Sequence, residues 1–444
     1  MLLRSGPEQV AEKRSDCPRE SRKEEPMTAR PRFADVTTIG VGGQIADFIQ
    51  PETRDDLIAA VMTADDAGRP LCVLGGGSNL LASDEDFDGV VVRDARHTIA
   101  VQPLTAEQKQ KDGRLVRIAA DAGVHWDDFV AYCVQHGYEG VEGLSGVPGT
   151  VGASVVQNIG AYGQEVATSV LSVEAWDRET ASCVELAPQQ MRFGYRTSAL
   201  KQSMYDAPAV PSDFYFPSPR YIVLSVTFGL HRAVSGVVGY AQLASALGVE
   251  VGAHMNIDQI RTMVLRIRAE KQMLEDPARY ANPWMAGTAS SAPRQDGIDG
   301  EGSLPLTTIS GIRDRWSCGS FFTNPILDVS AAAALPDDAP RFPAALPDGG
   351  EGVKTPAAWL IDHAGFHRGY PLDDAPDATA SLSTVHTLAL TNRGQASAQD
   401  IARLAKTVQQ GVFQAFGVKL VPEPVTIGID LGWESRPADE YVDE

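Results

Sequence analysis

The chain has 444 residues and a formal charge of −20, from 58 acidic against 38 basic side chains. That length holds two or three domains with ample core, and the charge disfavours nucleic acid and anionic membrane surfaces as partners. The five cysteines (Cys17, Cys72, Cys133, Cys183 and Cys318) are scattered and lack C-x-x-C spacing, which predicts reduced thiols in a cytoplasm and no metal site. No apolar run reaches the roughly 18 residues of a membrane span, and no apolar signal core opens the chain.

Residues 1–32 are rich in Arg, Glu and Ser without apolar periodicity, so a disordered extension is expected, with Met27 a possible start. From Phe33 the pattern turns globular. A short strand is expected at 46–50, then a helix over 54–67 capped by Thr53, with Asp55 and Asp56 in its first turn. Strands follow at 71–74 and 89–93, giving a small β-α-β-β unit. Alternation predicts a strand at 114–120, and helical spacing with a glycine stop predicts a helix at 125–137. A hairpin is expected at 170–177 and 182–186, a strand at 221–230, and an amphipathic helix at 257–272 with Ile260, Met263, Val264 and Ile267 on one face. Segments 277–307 and 328–352 are rich in small residues and Pro and are expected to be loose. The C-terminal unit combines a helix at 357–364, a strand at 387–392, a helix at 397–416 between Ser397 and Gly417, and a strand near 425–428. The acidic end, 431–444, is expected to fray.

Two stretches carry chemistry. Residues 139–166 hold seven glycines and almost no charge, and the sub-run GVPGTVGA (146–153) reads as a cradle of backbone N–H groups for a phosphate. A tight turn inside a buried sheet explains that stretch equally well. Residues 71–83, LCVLGGGSNLLAS, run a short strand into three glycines followed by Ser78 and Asn79, a second nest. Neither stretch is a P-loop or a Rossmann fingerprint. Two unrelated nests suggest one large dinucleotide whose phosphates lie between two subdomains.

Seven motifs in order, TIGVGGQIADF, LGGGSNLLASD, EGLSGVPGTVGASVVQNIGAYGQEV, RFGYRTSALK, CGSFFTNP, WLIDHAGF and VPEPVTIG, span most of 37–428. Together they resemble the UDP-N-acetylenolpyruvoylglucosamine reductase family. The resemblance implies an α+β protein: a two-subdomain FAD-binding region of the vanillyl-alcohol-oxidase (PCMH) type over 33–232 and a connecting loop and helix over 233–276. A flexible insertion at 277–313 and an α+β substrate-binding domain at 314–430 complete it. It implies FAD and NADPH as cofactors, UDP-N-acetylglucosamine enolpyruvate as substrate, and UDP-N-acetylmuramate, a peptidoglycan precursor, as product.

The resemblance also assigns residues. Ser320 is similar to the proton-donating serine of the family, and Arg196 and Glu423 to the pair that stabilises the enol intermediate. A fixed cation and a hydrogen-bonding acid suit the charge that hydride addition creates. Taken singly, Ser320 would be a small residue before a buried turn, Glu423 a solvated strand end, and Tyr195-Arg196 a cation–π pair. Gly75, Gly76, Gly77, Ser78 and Asn79, with Gly146, Pro148, Gly149, Thr150, Gly152 and Ala153, are expected to hold the cofactor. Tyr195, Tyr240, Lys271 and Asn324 are expected to hold the substrate. Cys318 stands where alanine is more typical, and His363 and His386 stand where the resemblance admits Gln or His. The rival readings are another flavin oxidase of the superfamily and a silent nucleotide-sugar binding protein.

Overall fold

The structure, a computed structural model, describes residues 30–205, 217–276, 279–280, 282–285, 313–346 and 349–431. The expected N-terminal extension up to residue 29, the end beyond residue 431 and most of the 277–307 insertion lie outside the described residues. Among the described residues no helix is long and apolar enough to cross a membrane.

The first subdomain is a three-stranded parallel sheet in which Phe87–Val92 lies between Ile45–Ile49 and Leu71–Val73. The Thr53 hydroxyl accepts the Asp56 N–H at 3.1 Å and so starts the helix Arg54–Asp66. That helix buries Leu57, Val61 and Ala64, spaced four and three residues apart, against the sheet. The second subdomain is an antiparallel sheet in the order Ser182–Leu186, Val170–Asp177, Tyr221–Arg232, Leu115–Asp121, Ile99–Gln102. Strict alternation places Val116, Ile118 and Ala120 on its inner face, against Trp126, Phe129 and Phe228. The edge strand Ile99–Gln102 and the short helix Ala106–Lys111 were not anticipated from the sequence; neither buries a side chain, so neither has a core pattern to read.

The C-terminal unit packs the helix Ala398–Phe416 onto the hairpin Ala380–Leu382 and Leu390–Asn392 and the helix Ala357–His363. Ser397 and Asp400 close a capping box, and Gly417 ends the helix at φ +69°. Asp84, from the first subdomain, accepts the Ala398 N–H with both carboxylate oxygens at 2.8 and 2.9 Å. Ile39, Val41 and Leu81 belong to the same core as Phe321 and Leu404.

Several expectations need correction. Segment 328–352 is not a loose loop: its second half supplies Phe342–Ala345 and leads into Glu351–Lys354, which form a three-stranded antiparallel sheet with Ile326–Asp328, and Asp328 caps the helix Val329–Ala333. The start of the expected flexible insertion is packed. Met285 is fully buried, and buried Arg93 donates to the carbonyls of Trp284 and Met285 at 3.0 and 3.1 Å. Glu275, just ahead of that insertion, accepts from Arg279, Tyr280 and His125 at 2.6, 2.9 and 2.7 Å. Finally, the last strand, Val425–Ile427, pairs in parallel with Leu80–Ala82 of the first subdomain.

Candidate active site

The two glycine loops come from different subdomains and touch. A Cβ on Gly76 would stand 2.7 Å from Gly149 Cα, and one on Gly75 would stand 2.9 Å from Ala153 Cβ. Gly77 adopts φ +65° with its missing Cβ 2.1 Å from the Val36 carbonyl oxygen, a place where only glycine fits. The glycines therefore serve packing as well as ligand approach.

Among the described residues, the backbone N–H groups of Gly75–Asn79 and of Gly149 and Thr150 donate to no protein acceptor. Those of Gly146 and Gly152 are used internally, by Asp127 Oδ1 at 2.6 Å and the Ala122 carbonyl at 2.9 Å. Ala153 N–H turns to Thr150 Oγ1 at 3.4 Å, because Thr150 caps the helix Val151–Gln157. The cradle is thus narrower than the sequence suggested, centred on 75–79 and completed by 149–150. Ser78, Asn79, Pro148 and Ala153 line a cavity of about 800 Å³ that runs on to Arg196, Ser320 and Glu423. Free N–H groups, a hydroxyl, an amide and the Arg279 guanidinium, which donates to the Gly76 carbonyl at 2.9 Å, form a donor set that fits the diphosphate of a dinucleotide.

At the far end, Arg196 sits in a tight turn, with Gly194 N–H on the Thr197 carbonyl at 3.0 Å and its own φ at +59°. That left-handed backbone is costly for a side chain. It aims the guanidinium inward, where Nη2 donates to the Gly160 carbonyl at 2.7 Å and Nε faces Glu423 Oε1 at 3.3 Å. The Tyr195 ring lies 5.3 Å from the same guanidinium, so the cation–π contact and the site are both present.

Glu423 and Ser320 are joined by backbone pairing. Glu423 N–H donates to the Phe321 carbonyl at 2.8 Å, and Phe322 bridges Pro422. Ser320 Oγ lies 3.3 Å from His386 Nε2. Burial, reinforced by the nearby charges of Lys271, Arg268 and Arg368, pushes His386 down to about 4, so its ring is neutral near pH 7. Cys318 turns away: its Sγ donates to the Leu80 carbonyl at 3.3 Å, and burial pushes its thiol up to about 12.

The expected substrate residues divide. Lys271, directly after the helix Ile257–Glu270, lines the cavity with its Nζ on Gln242 Oε1 at 2.9 Å. Tyr240 lines it too, edge-on to Tyr162 with ring centroids 5.9 Å apart. Tyr195 and Asn324 do not line it. Tyr195 Oη accepts the Asn324 N–H at 3.4 Å, and Asn324 Oδ1 accepts from Ala357 N–H at 2.9 Å, so the two are bonded to each other beside Arg196. Sequence reasoning missed two site residues, Gln157 and Lys201. Gln157 Nε2 donates to Glu423 Oε1 at 3.1 Å and lines the cavity, and buried Lys201 stands behind it. Both lie inside quoted motifs, but no residue pattern separates a buried lysine from a solvated one.

Residues 311–427 match the C-terminal domain of UDP-N-acetylenolpyruvoylglucosamine reductase, and residues 45–187 match an FAD binding domain. The UDP-N-acetylenolpyruvoylglucosamine reductase of Thermobifida fusca is 39% identical over 406 residues, which cover 90% of this chain and 97% of that protein. The chain belongs to the UDP-N-acetylenolpyruvoylglucosamine reductase family. The reductase of Cutibacterium acnes is 40% identical over 400 residues, covering 90% of each chain. The crystal structure of the Thermus caldophilus reductase shares the fold, with a TM-score of 0.52 at 23% identity over 90% of this chain and 98% of that one. The family's α+β architecture, an FAD-binding region followed by a C-terminal reductase domain, is the one found here.

Proposed function

We propose that this chain is an NADPH-dependent flavoenzyme of the cytoplasm that reduces UDP-N-acetylglucosamine enolpyruvate to UDP-N-acetylmuramate, a precursor of peptidoglycan. One observation carries the reading of the site: Arg196, Ser320 and Glu423, from three distant segments, meet on one wall of a cavity whose other end is a backbone N–H cradle. The 75–79 loop with Gly149 and Thr150 would hold FAD, which would supply hydride drawn from NADPH.

The chain's own residues do the rest. Hydride arrival at the β-carbon leaves negative charge on the α-carbon and the substrate carboxylate. Arg196, fixed by the Gly160 carbonyl and by Glu423, is the cation that faces this charge. The Glu423 carboxyl, held from one side by Arg196 and Gln157, bonds the enol through its other oxygen. Ser320 gives its proton to the α-carbon. Neutral His386 fixes the Ser320 hydroxyl without adding a second positive charge. Lys271, together with Tyr240 at the open side, supplies local cation and cover for the sugar nucleotide in an otherwise acidic protein.

The test is colour. Purified protein should be yellow, bleach with NADPH under nitrogen, and regain colour on addition of the enolpyruvyl sugar nucleotide. Rapid reoxidation by oxygen with no response to that substrate would favour an oxidase. Binding of the sugar nucleotide without any colour return would favour a silent binding protein.

A further inference from the structure

Lys201 is buried, 8% exposed, and among the described residues no carboxylate lies within hydrogen-bonding distance of its ammonium. Its Nζ donates to Gln157 Oε1 at 2.7 Å and to the Glu423 carbonyl at 3.2 Å. The position is set by Ser198, whose Oγ accepts the Lys201 N–H at 3.2 Å and donates to the Val156 carbonyl at 2.7 Å. One serine thus fixes the short helix Ala199–Ser203 against the helix Val151–Gln157, with Lys201 beside Gln157.

We propose that Lys201 is a positioning residue for Glu423, acting through the Gln157 amide. An ammonium only donates, so it accepts no N–H and admits just one amide orientation, with Oε1 towards Lys201. Gln157 Nε2 is then turned to Glu423 Oε1, at 3.1 Å. Arg196 Nε addresses the same oxygen at 3.3 Å. Two donors on Oε1 leave Oε2 as the carboxyl oxygen without a partner among the described residues, and Glu423 lines the cavity. Lys201 also holds the backbone that carries the carboxyl, through the Glu423 carbonyl, which Asn79 Nδ2 approaches at 3.3 Å from the cradle side. Side chain and main chain of Glu423 are therefore both registered from one buried ammonium.

Stability does not explain the lysine. Desolvation drags Lys201 down to about 8, opposed by the charge of Glu423 and reinforced by that of Arg196. A methionine of similar length would fill the space without that cost. Above pH 8 the neutral amine carries a lone pair that can accept an N–H, and the amide is no longer held in one orientation.

The inference rests on the proposed role of Glu423, and the experiment separates the two. Lys201→Met, Gln157→Leu, their double variant and Glu423→Gln are each followed in single turnover, first with NADPH and then with the enolpyruvyl sugar nucleotide. A misplaced catalytic group costs on the order of 10- to 100-fold, so Lys201→Met should slow the second half-reaction by that factor. Flavin reduction by NADPH and the steady-state KM should stay near the parent values. Gln157→Leu should match it, and the double variant should be no slower than the slower single, because the two act in series. In the parent the second half-reaction should lose rate as pH rises through about 8; Lys201→Met should lack that limb. Independent, multiplying losses, or a Lys201→Met enzyme at full rate beside a crippled Glu423→Gln, would overturn the positioning role and leave Glu423 intact. Full-rate Glu423→Gln would instead remove the parent reading. If Lys201→Met fails to fold, Gln157→Leu with a parent-like second half-reaction overturns the proposal by itself.

Discussion

Gly76 and Gly149 meet backbone to backbone: a single methyl group on Gly76 would lie 2.7 Å from Gly149 Cα and 3.0 Å from its nitrogen. The contact joins the parallel sheet of the first subdomain to the loop ahead of the helix Val151–Gln157. It brings the two sets of unused N–H groups to one place.

Gly76→Ala should therefore part the loops. Overpacking of a tight contact costs about 1–3 kcal/mol, and here much of that loss falls on the cradle. The expected result is a folded protein that purifies with substoichiometric flavin and regains it only at high FAD concentration, read by absorbance ratio and by titration of flavin fluorescence. A variant that holds flavin as tightly as the parent would show that the loops tolerate separation.

Ser320→Ala should divide the catalytic cycle. Bleaching by NADPH needs no proton delivered to the sugar nucleotide and should run at the parent rate. Colour return with the enolpyruvyl substrate should fall by about 10²–10⁴-fold, the usual worth of a general acid. Cys318 should not compensate, because its thiol is turned to the Leu80 carbonyl and is pushed up to about 12. The double variant with Cys318→Ala should match the single. Equal slowing of both half-reactions would move Ser320 from proton donor to structural support.

His386 gives a pH dependence with a definite sign. Its value in the fold, about 4, lies below the ordinary 6.5, so between those values the unfolded chain binds the extra proton. Stability then falls as pH drops from 6.5 towards 4, by on the order of 3 kcal/mol at most from this group. His386→Gln should lose less melting temperature than the parent over that interval, with no difference above pH 7. Parallel melting curves across the interval would show that the ring titrates normally.

Arg93 should matter to the stretch that follows the helix Ile257–Glu270. Its guanidinium holds the Trp284 and Met285 carbonyls from a fully buried position. Hydrogen bonds to a charged group are worth about 1.5–3 kcal/mol, so Arg93→Met should lower the melting temperature by several degrees and speed proteolysis near Tyr280–Met285. Protease resistance equal to the parent would show that the stretch is held by Met285 and Trp284 packing alone.

Local signals carried most of the elements. Thr53 and Ser397 mark helix starts by their own hydroxyls, and the Val116, Ile118, Ala120 alternation marks a half-buried strand. The 328–352 segment gave no such signal. Its strands are short, and Phe342 is 51% exposed, so composition resembles a loop where backbone pairing makes a sheet. The catalytic candidates were legible because each lies in a motif with an unusual residue string. Their neighbours were not. Burial of Lys201 depends on how two short helices cross, and the contact between Ser320 and His386 depends on a strand pair far along the chain. Tyr195 and Asn324 share the motifs of Arg196 and Ser320, yet are bonded to each other and are not among the residues that line the cavity, a difference of direction that no motif records.

The parallel pairing of Leu80–Ala82 with Val425–Ile427 bears on biosynthesis. Leu80 follows directly on the GGGSN loop, while its partner strand comes far later in the chain, after the helix Ala398–Phe416. Until those later segments are made, the edge beside the cradle has no mate, Ser320 lacks its neighbouring carboxyl, and Asp84 has no helix to cap. A chain cut short before Val421 is deprived of the candidate carboxyl Glu423 and of a structural edge at once.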